Sequence, residues 1–389
     1  MTTGGPIHAR TVRATVALAI FASVVLPAAA PPASAAACQS WSPIPRSPGA
    51  EGGRLRDVAV LSPCRAWAVG VRVEGGAELT LIERWNGTRW SIVPSPNPSP
   101  SANQLQGVTA NAPDDVWAVG YTIDPDRRPL ALHWNGRRWR EVPTPTVNDG
   151  EFEAVSAAGP DDVWAVGVRQ QGGQTRSLIA RWNGRRWRLV DAPQVGSGEN
   201  SLFGVHARTP GDVWAVGRRE NDAGTASLTL TLRWNGRTWK HRRSPSLPSG
   251  GNELIDVFGV SRSSAWAVGT SFGSVNESIL LRWNGRSWKL APHPTVADDD
   301  HNLNGVVATS STNAWATGAA CSSGGVCSSL VLRWNGRSWR AQPSAGAEAA
   351  DTTILYGVDA SSARDAWAVG LYRDASEGIE NQPFAAHCC

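Results

Sequence analysis

Asp114-Asp-Val-Trp-Ala-Val-Gly120 and, after a variable stretch, His133-Trp-Asn-Gly-Arg-Arg-Trp139 decide the fold, because both phrases return along the chain. Trp-Ala-Val-Gly, with Thr for Val in one copy, begins at Trp67, Trp117, Trp164, Trp214, Trp266, Trp315 and Trp367. A valine precedes each of these tryptophans at a fixed distance (Val58, Val108, Val155, Val205, Val257, Val306, Val358), so more than one anchor holds the register. Six copies continue into Trp-Asn-Gly-x-x-Trp, starting at Trp85, Trp134, Trp182, Trp234, Trp283 and Trp334. Twenty tryptophans against 6 Phe and 3 Tyr are what a repeated local motif produces, not an ordinary core. Repeats of roughly 50 residues point to a solenoid, a propeller or an array.

Each unit reads as four short strands: one ending near the valine, one carrying Trp-Ala-Val-Gly, and two joined at Asn-Gly, a strong hairpin signal. Four-stranded units repeated radially make a β-propeller. The sequence therefore predicts an all-β fold, a seven-bladed β-propeller of four-stranded antiparallel blades, forming one domain over residues 38–389. A two-residue turn at Asn135-Gly136 would set Trp134 opposite Arg137 and Leu132 opposite Trp139. The recurrent tryptophans are then packing groups between blades rather than ligand platforms.

The last unit lacks the second tryptophan phrase. Cys388 and Cys389 stand where Trp and Asn stand elsewhere, and Cys38-Gln-Ser-Trp41 matches the start of a fourth strand. The final blade is expected to be split between 38–48 and 353–389, its N-terminal strand closing the ring. A disulfide from Cys38 to Cys388 or Cys389 would seal that break, with Cys64 taking the remaining cysteine. Cys321 and Cys327 bracket a short loop and should pair locally.

Residues 1–37 read as a secretory signal peptide: Arg10 and Arg13 precede an apolar run from Val16 to Val25, and Ala33-Ser34-Ala35 offers a cleavage site. The chain is therefore expected to be secreted and extracellular, where an even count of 6 cysteines favours disulfides. No stretch reaches the roughly 18 apolar residues of a membrane span. Removing the leader leaves 35 basic against 33 acidic residues, which gives no electrostatic case for nucleic acid.

The repeat resembles a family of secreted bacterial propellers whose units read Asp-Val-Trp-Ala-Val-Gly and then His/Arg-Trp-Asn-Gly-x-x-Trp, grouped loosely with BNR-like and kelch-like propellers. The resemblance covers residues 38–389 and implies the propeller fold, but little about activity.

Positions that never vary between units are explained by the scaffold, so a site should be written where units differ. Two residues before the valine the series is Arg56, Gln106, Glu153, Phe203, Ile255, Asn304, Tyr356. If the first strand is innermost, these seven ring the mouth of a channel. The histidines are scattered, with no nucleophile elbow and no metal-ligand spacing; no catalytic residue, metal or cofactor is expected. Asp298-Asp-Asp-His301 could at most attract Ca²⁺. A glycosidase needs two carboxylates about one bond, and only Glu153 among the seven is acidic. The function expected is a non-catalytic recognition module, monomeric, binding a glycan or other cell-surface component through its variable loop face. The alternatives are an extracellular glycosidase or lyase, and a scaffold that docks an extracellular protein.

Overall fold

The computed structural model describes residues 1–5, 38, 40–45, 47–248, 250–294, 300–343, 352–374 and 379–389. Two compact units are distinguished, Met1–Ala35 and Ala36–Cys389, and the second holds every described strand. Apart from residues 1–5, the expected leader lies outside the described residues, as do Asp298 and Asp299.

The repeats are numbered as units 1 to 7 from Arg54 onward, and the second shows the pattern: strands a (Ala102–Ala112), b (Asp115–Ile123), c (Arg127–Trp134) and d (Trp139–Glu141) run antiparallel in that order. The a strands of successive units pack side by side, and that of the last unit, Thr352–Ser362, packs against Arg54–Ser62 of the first.

The expectation of a closed ring of seven complete four-stranded blades is corrected. Six units carry four antiparallel strands of their own, and the seventh is partial, with Thr352–Ser362, Asp365–Asp374 and Ile379–Cys388. It makes no fourth strand locally, because Cys388-Cys389 replaces the Trp-Asn that opens the hairpin in every other unit. The three-residue strand Ser42–Ile44 lies along its outer edge, Ser42 opposite His387. Among the described residues no sheet closes on itself, and units 1 and 2 share one eight-stranded sheet, because Glu78 bridges Ala102 in parallel. Asn103 holds that crossing, donating to the carbonyls of Glu78 and Ser99.

The hairpin register also differs from expectation. Trp134 pairs with Trp139, so the c–d loop has four residues. Asn135 Oδ1 accepts from the amides of Arg137 and Arg138, and Gly136 supplies the positive φ of 86°. An Asx side chain that satisfies two amides organises a longer loop than a bare Asn-Gly turn does. Arg137 is therefore in the loop and not opposite Trp134. The cation on the b-strand tryptophan comes instead from the residue before the c-strand tryptophan. Arg181 lies 4.9 Å from the ring centre of Trp164, and Arg233 lies 4.8 Å from that of Trp214.

The core lies between units. Trp67 of unit 1 is fully buried and meets Trp134 and Trp139 of unit 2 at 5.0 and 5.3 Å between ring centres. The same triad forms from Trp117, Trp164, Trp214, Trp266 and Trp367, the last meeting Trp85 and Trp90 of unit 1. Edge-to-face pairs of this kind add about 0.5–1.5 kcal/mol beyond the area they bury. The c-strand indoles are also fixed by polarity: Trp85 Nε1 donates to the Pro63 carbonyl at 3.0 Å, and Trp134 Nε1 to that of Pro113 at 3.2 Å.

Cys38 is joined to Cys388, with α-carbons 5.6 Å apart, and Cys321 to Cys327. Cys64 and Cys389 are exposed and unbridged, which corrects the expected second bond at the seam. The reason is local: the a–b turn of each unit stacks on the c–d turn of its own unit, not of a neighbour. Cys64 lies against Gly87, Asp114 against Gly136 and Ser263 against Gly285. In the last unit the corresponding bond is from the Cys38 amide to the Ala363 carbonyl.

Candidate binding site at the channel mouth

All seven variable positions, Arg56, Gln106, Glu153, Phe203, Ile255, Asn304 and Tyr356, line one cavity of about 280 Å³. Their convergence has a backbone cause. In every unit the a–b ladder skips one residue beside the glycine of Trp-Ala-Val-Gly, and the skipped residue is the member of this series: Arg56 between Leu55 and Asp57, Gln106 between Leu105 and Gly107, and so on to Tyr356. A bulge leaves its extra residue unpaired and re-aims its side chain. The glycine is required there, because a Cβ on Gly70 would collide with the Arg54 carbonyl and one on Gly120 with that of Gln104, and the same clash recurs in all units.

Below the mouth, side chains of the a strands staple six of the seven junctions between units. Asp57 accepts from the Val108 amide at 2.8 Å, Asp256 from Val306 at 2.8 Å and Asp359 from Val60 at 2.7 Å. Ser156 Oγ accepts from Ala207, and His206 Nδ1 from Gly259 at 3.1 Å, while Asn304 donates to the Leu355 carbonyl at 2.8 Å. Between units 2 and 3 there is no such bond among the described residues; Gly107 instead lets the Ala154 backbone approach.

Burial pushes the carboxyls of Asp57, Asp256 and Asp359 up to about 7 against the lowering effect of the amides that donate to them. Each is raised further by one of the others. Glu153 also rises to about 7, through burial and then the charge of Glu151, with Arg56 and Arg127 opposing. His206 falls to about 4 through burial. Asp57 and Asp256 line the cavity but were not singled out from the sequence. They follow the bulge residue where the other units carry Gly or Ala, and that departure from the repeat is the signal that could have found them.

Around the rim, most cations are already matched. Arg127 donates to Glu151 at 2.9 Å, Arg54 to Gln104 at 3.3 Å and Arg218 to Glu253 at 3.4 Å. Arg56 has no hydrogen-bond acceptor or carboxylate partner among the described residues; its guanidinium lies 4.8 Å from the ring centre of Tyr356, and its Nε is buried and unpaired.

Other features belong to the scaffold. Asp115 with His133 and Asp365 with His387 pair at 2.7 Å, like catalytic dyads, but Asp162 with Arg181 and Asp212 with Arg233 fill the same places. A position that accepts Arg or His alike serves packing and charge balance. A larger groove of about 690 Å³ lies outside unit 2 along Pro129, Glu141 and Pro143, and recurs in smaller form in units 3 and 4. It follows from the proline-rich connection after each d strand. His301 Nδ1 accepts from the Ser278 amide at 2.9 Å, and Asp300 from that of Asn276 at 2.6 Å. No cluster of three or more metal-binding side chains occurs among the described residues.

No protein-family model matches the chain, and no curated protein does. Among solved structures the chain is similar to YCF48 bound to D1 peptide, at 14% identity and TM-score 0.56, over 90% of this chain and 98% of that one. It is similar also to YCF48 from Cyanidioschyzon merolae, at 16% identity and TM-score 0.55, over 89% and 98%. A fungal lectin from Aleuria aurantia, described as a six-bladed β-propeller, aligns at 12% identity and TM-score 0.48, over 77% and 97%. The two YCF48 likenesses establish a β-propeller fold. Among the described residues no helix is long and apolar enough to cross a membrane.

Proposed function

We propose that this chain is a secreted, non-catalytic recognition module that binds a glycan or other cell-surface component in the cavity at its channel mouth. The observation that carries the reading is that the residues which differ from unit to unit come together in one cavity, while the residues that repeat are consumed by packing. Chemistry is poorly served there. Asp57, Asp256 and Asp359 spend oxygens on backbone amides, and Glu151, whose charge acts on Glu153, is held by Arg127, so among the described residues Glu153 lacks the second free carboxylate that glycoside hydrolysis requires.

The test is capture by the full chain of ligands on a glycan array and from culture supernatant, with and without the combined substitution Arg56→Ala, Glu153→Ala and Tyr356→Ala. Loss of capture with an unchanged unfolding midpoint is expected. Unchanged capture, or equal loss on substituting Arg137 and Arg138 of an exposed c–d loop, would move the site elsewhere. Export is checked separately by finding the mature N-terminus near Cys38 in the medium.

A further inference from the structure

The mouth is not chemically even. Chain order around the a strands puts Tyr356 and Gln106 on either side of Arg56, and Phe203 and Ile255 three and four units on, across the cavity. Glu153 acts on the Arg56 guanidinium only through space, and no acceptor among the described residues is bonded to it. A guanidinium so held in a partly desolvated place is unfavourable, and a ligand that brings a carboxylate into direct contact removes the imbalance. Planar bidentate pairing with a carboxylate is what arginine does best. The opposite wall offers Phe203 and Ile255, which reward an apolar group. Neutral sugar rings are less well served, since two nearby aromatic faces carry cations, Arg56 on Tyr356 and Arg127 on Tyr121 at 4.7 Å, while Arg218 stands off Phe203 at 5.8 Å and donates to Glu253. A volume of about 280 Å³ is just under the roughly 300–1,000 Å³ of sites for drug-sized ligands.

Resting on the reading of the mouth as a recognition site, we infer that its ligand is a small carboxylate bearing a compact apolar group, the carboxylate on Arg56 and the apolar group against Phe203 and Ile255. Gln106, and Glu153 when protonated, can donate to the ligand's remaining oxygens. Two sources carry this chemistry, the C-terminal end of a peptide and a free branched organic acid, and they differ by one amide group.

Calorimetric titration of the full chain with N-acetyl-L-leucine, N-acetyl-L-leucinamide and 4-methylpentanoate tests the inference. Both acids are expected to bind, and the amide at least tenfold more weakly. Tighter binding of N-acetyl-L-leucine assigns a peptide end, and tighter binding of 4-methylpentanoate a free acid. Arg56→Gln should weaken both acids at least tenfold, Arg56→Lys should weaken them less, and Ile255→Ser should weaken them about threefold, each with the unfolding midpoint of the parent. Equal binding of acid and amide, no binding of any of the three at millimolar concentration, or acid binding untouched by Arg56→Gln overturns the inference. If the probes fail while the combined mouth substitution still abolishes capture of array or supernatant ligands, the ligand class falls and the recognition reading stands. If capture also survives that substitution, both fall.

Discussion

Six junctions between units are built alike and one is not. At the six, a b-strand tryptophan meets the two tryptophans of the next unit, whose order is set by the Asn-Gly loop between them. At the junction of units 6 and 7, Trp315 packs instead against Trp41 and the Cys38–Cys388 bridge, with Phe384 and Leu355 beside them. The bridge occupies the place of one tryptophan and of the peptide link that a c–d loop supplies elsewhere. Noncovalent packing is sufficient where the chain is continuous; where it is broken, the same geometry is kept by a covalent tie between residues 350 apart in sequence.

The largest effect should come from cutting that tie. Cys388→Ser opens a loop of separation 350, and loop entropy puts the cost near the upper end of the usual ~2–5 kcal/mol, whereas Cys327→Ser opens a loop of separation 6 and should cost about half as much or less. Denaturant unfolding of the two variants decides this, and equal losses would mean that the seam is held by Trp41 and Trp315 rather than by the bond. At an ordinary junction Trp164→Ala removes a fully buried indole from Trp234 and Trp239 and should cost about 3–5 kcal/mol. A loss below 1 kcal/mol would show that the triads fill space without holding units together.

How much of this was legible in the sequence follows from how far each feature reaches along the chain. The repeat, the strands and the interunit role of the tryptophans rest on patterns within about 50 residues and could be read directly. The bulge residues from Arg56 to Tyr356 were found because an alignment of units keeps a bulge in register even when its existence is not suspected. The pairing of Trp134 with Trp139 was missed because Asn135 organises a four-residue loop through its side chain, which the dipeptide does not reveal. Cys64 was misassigned because nothing local says whether an a–b turn stacks on its own unit or the next. The seventh unit is partial because Cys388-Cys389 opens no c–d hairpin, and its outer edge is taken by Ser42–Ile44, far away in sequence. The staples of Asp57, Asp256 and Asp359 join strands about 50 residues apart, or 299 in the case of Asp359 and Val60, and are visible only in three dimensions.

At the six ordinary junctions the tryptophan ends are uniform, but the channel ends are not, and pH should separate them. Asp57, Asp256 and Asp359 titrate near 3.8 when unfolded and about 7 when folded, so their contribution to stability is full below about pH 4 and is lost as pH rises through 7. His206 works oppositely: its folded value of about 4 against 6.5 gives stability that is present above 6.5 and lost as pH falls through 4. The groups facing these four are Asp365 beside Asp359, and Asp212 and Arg208 about His206. Three carboxyls outweigh one imidazole, so unfolding free energy should fall between pH 5 and pH 8. Asp359→Asn keeps an oxygen that can accept from Val60 and removes one titrating group, so the fall over that range should shrink by about 2–3 kcal/mol. Ser156→Ala, at a junction with an uncharged staple, should lower stability equally at both pH values. An identical pH slope in Asp359→Asn and the parent would show that the channel carboxyls keep their charge when buried, with the amides of Val60, Val108 and Val306 offsetting the loss of water.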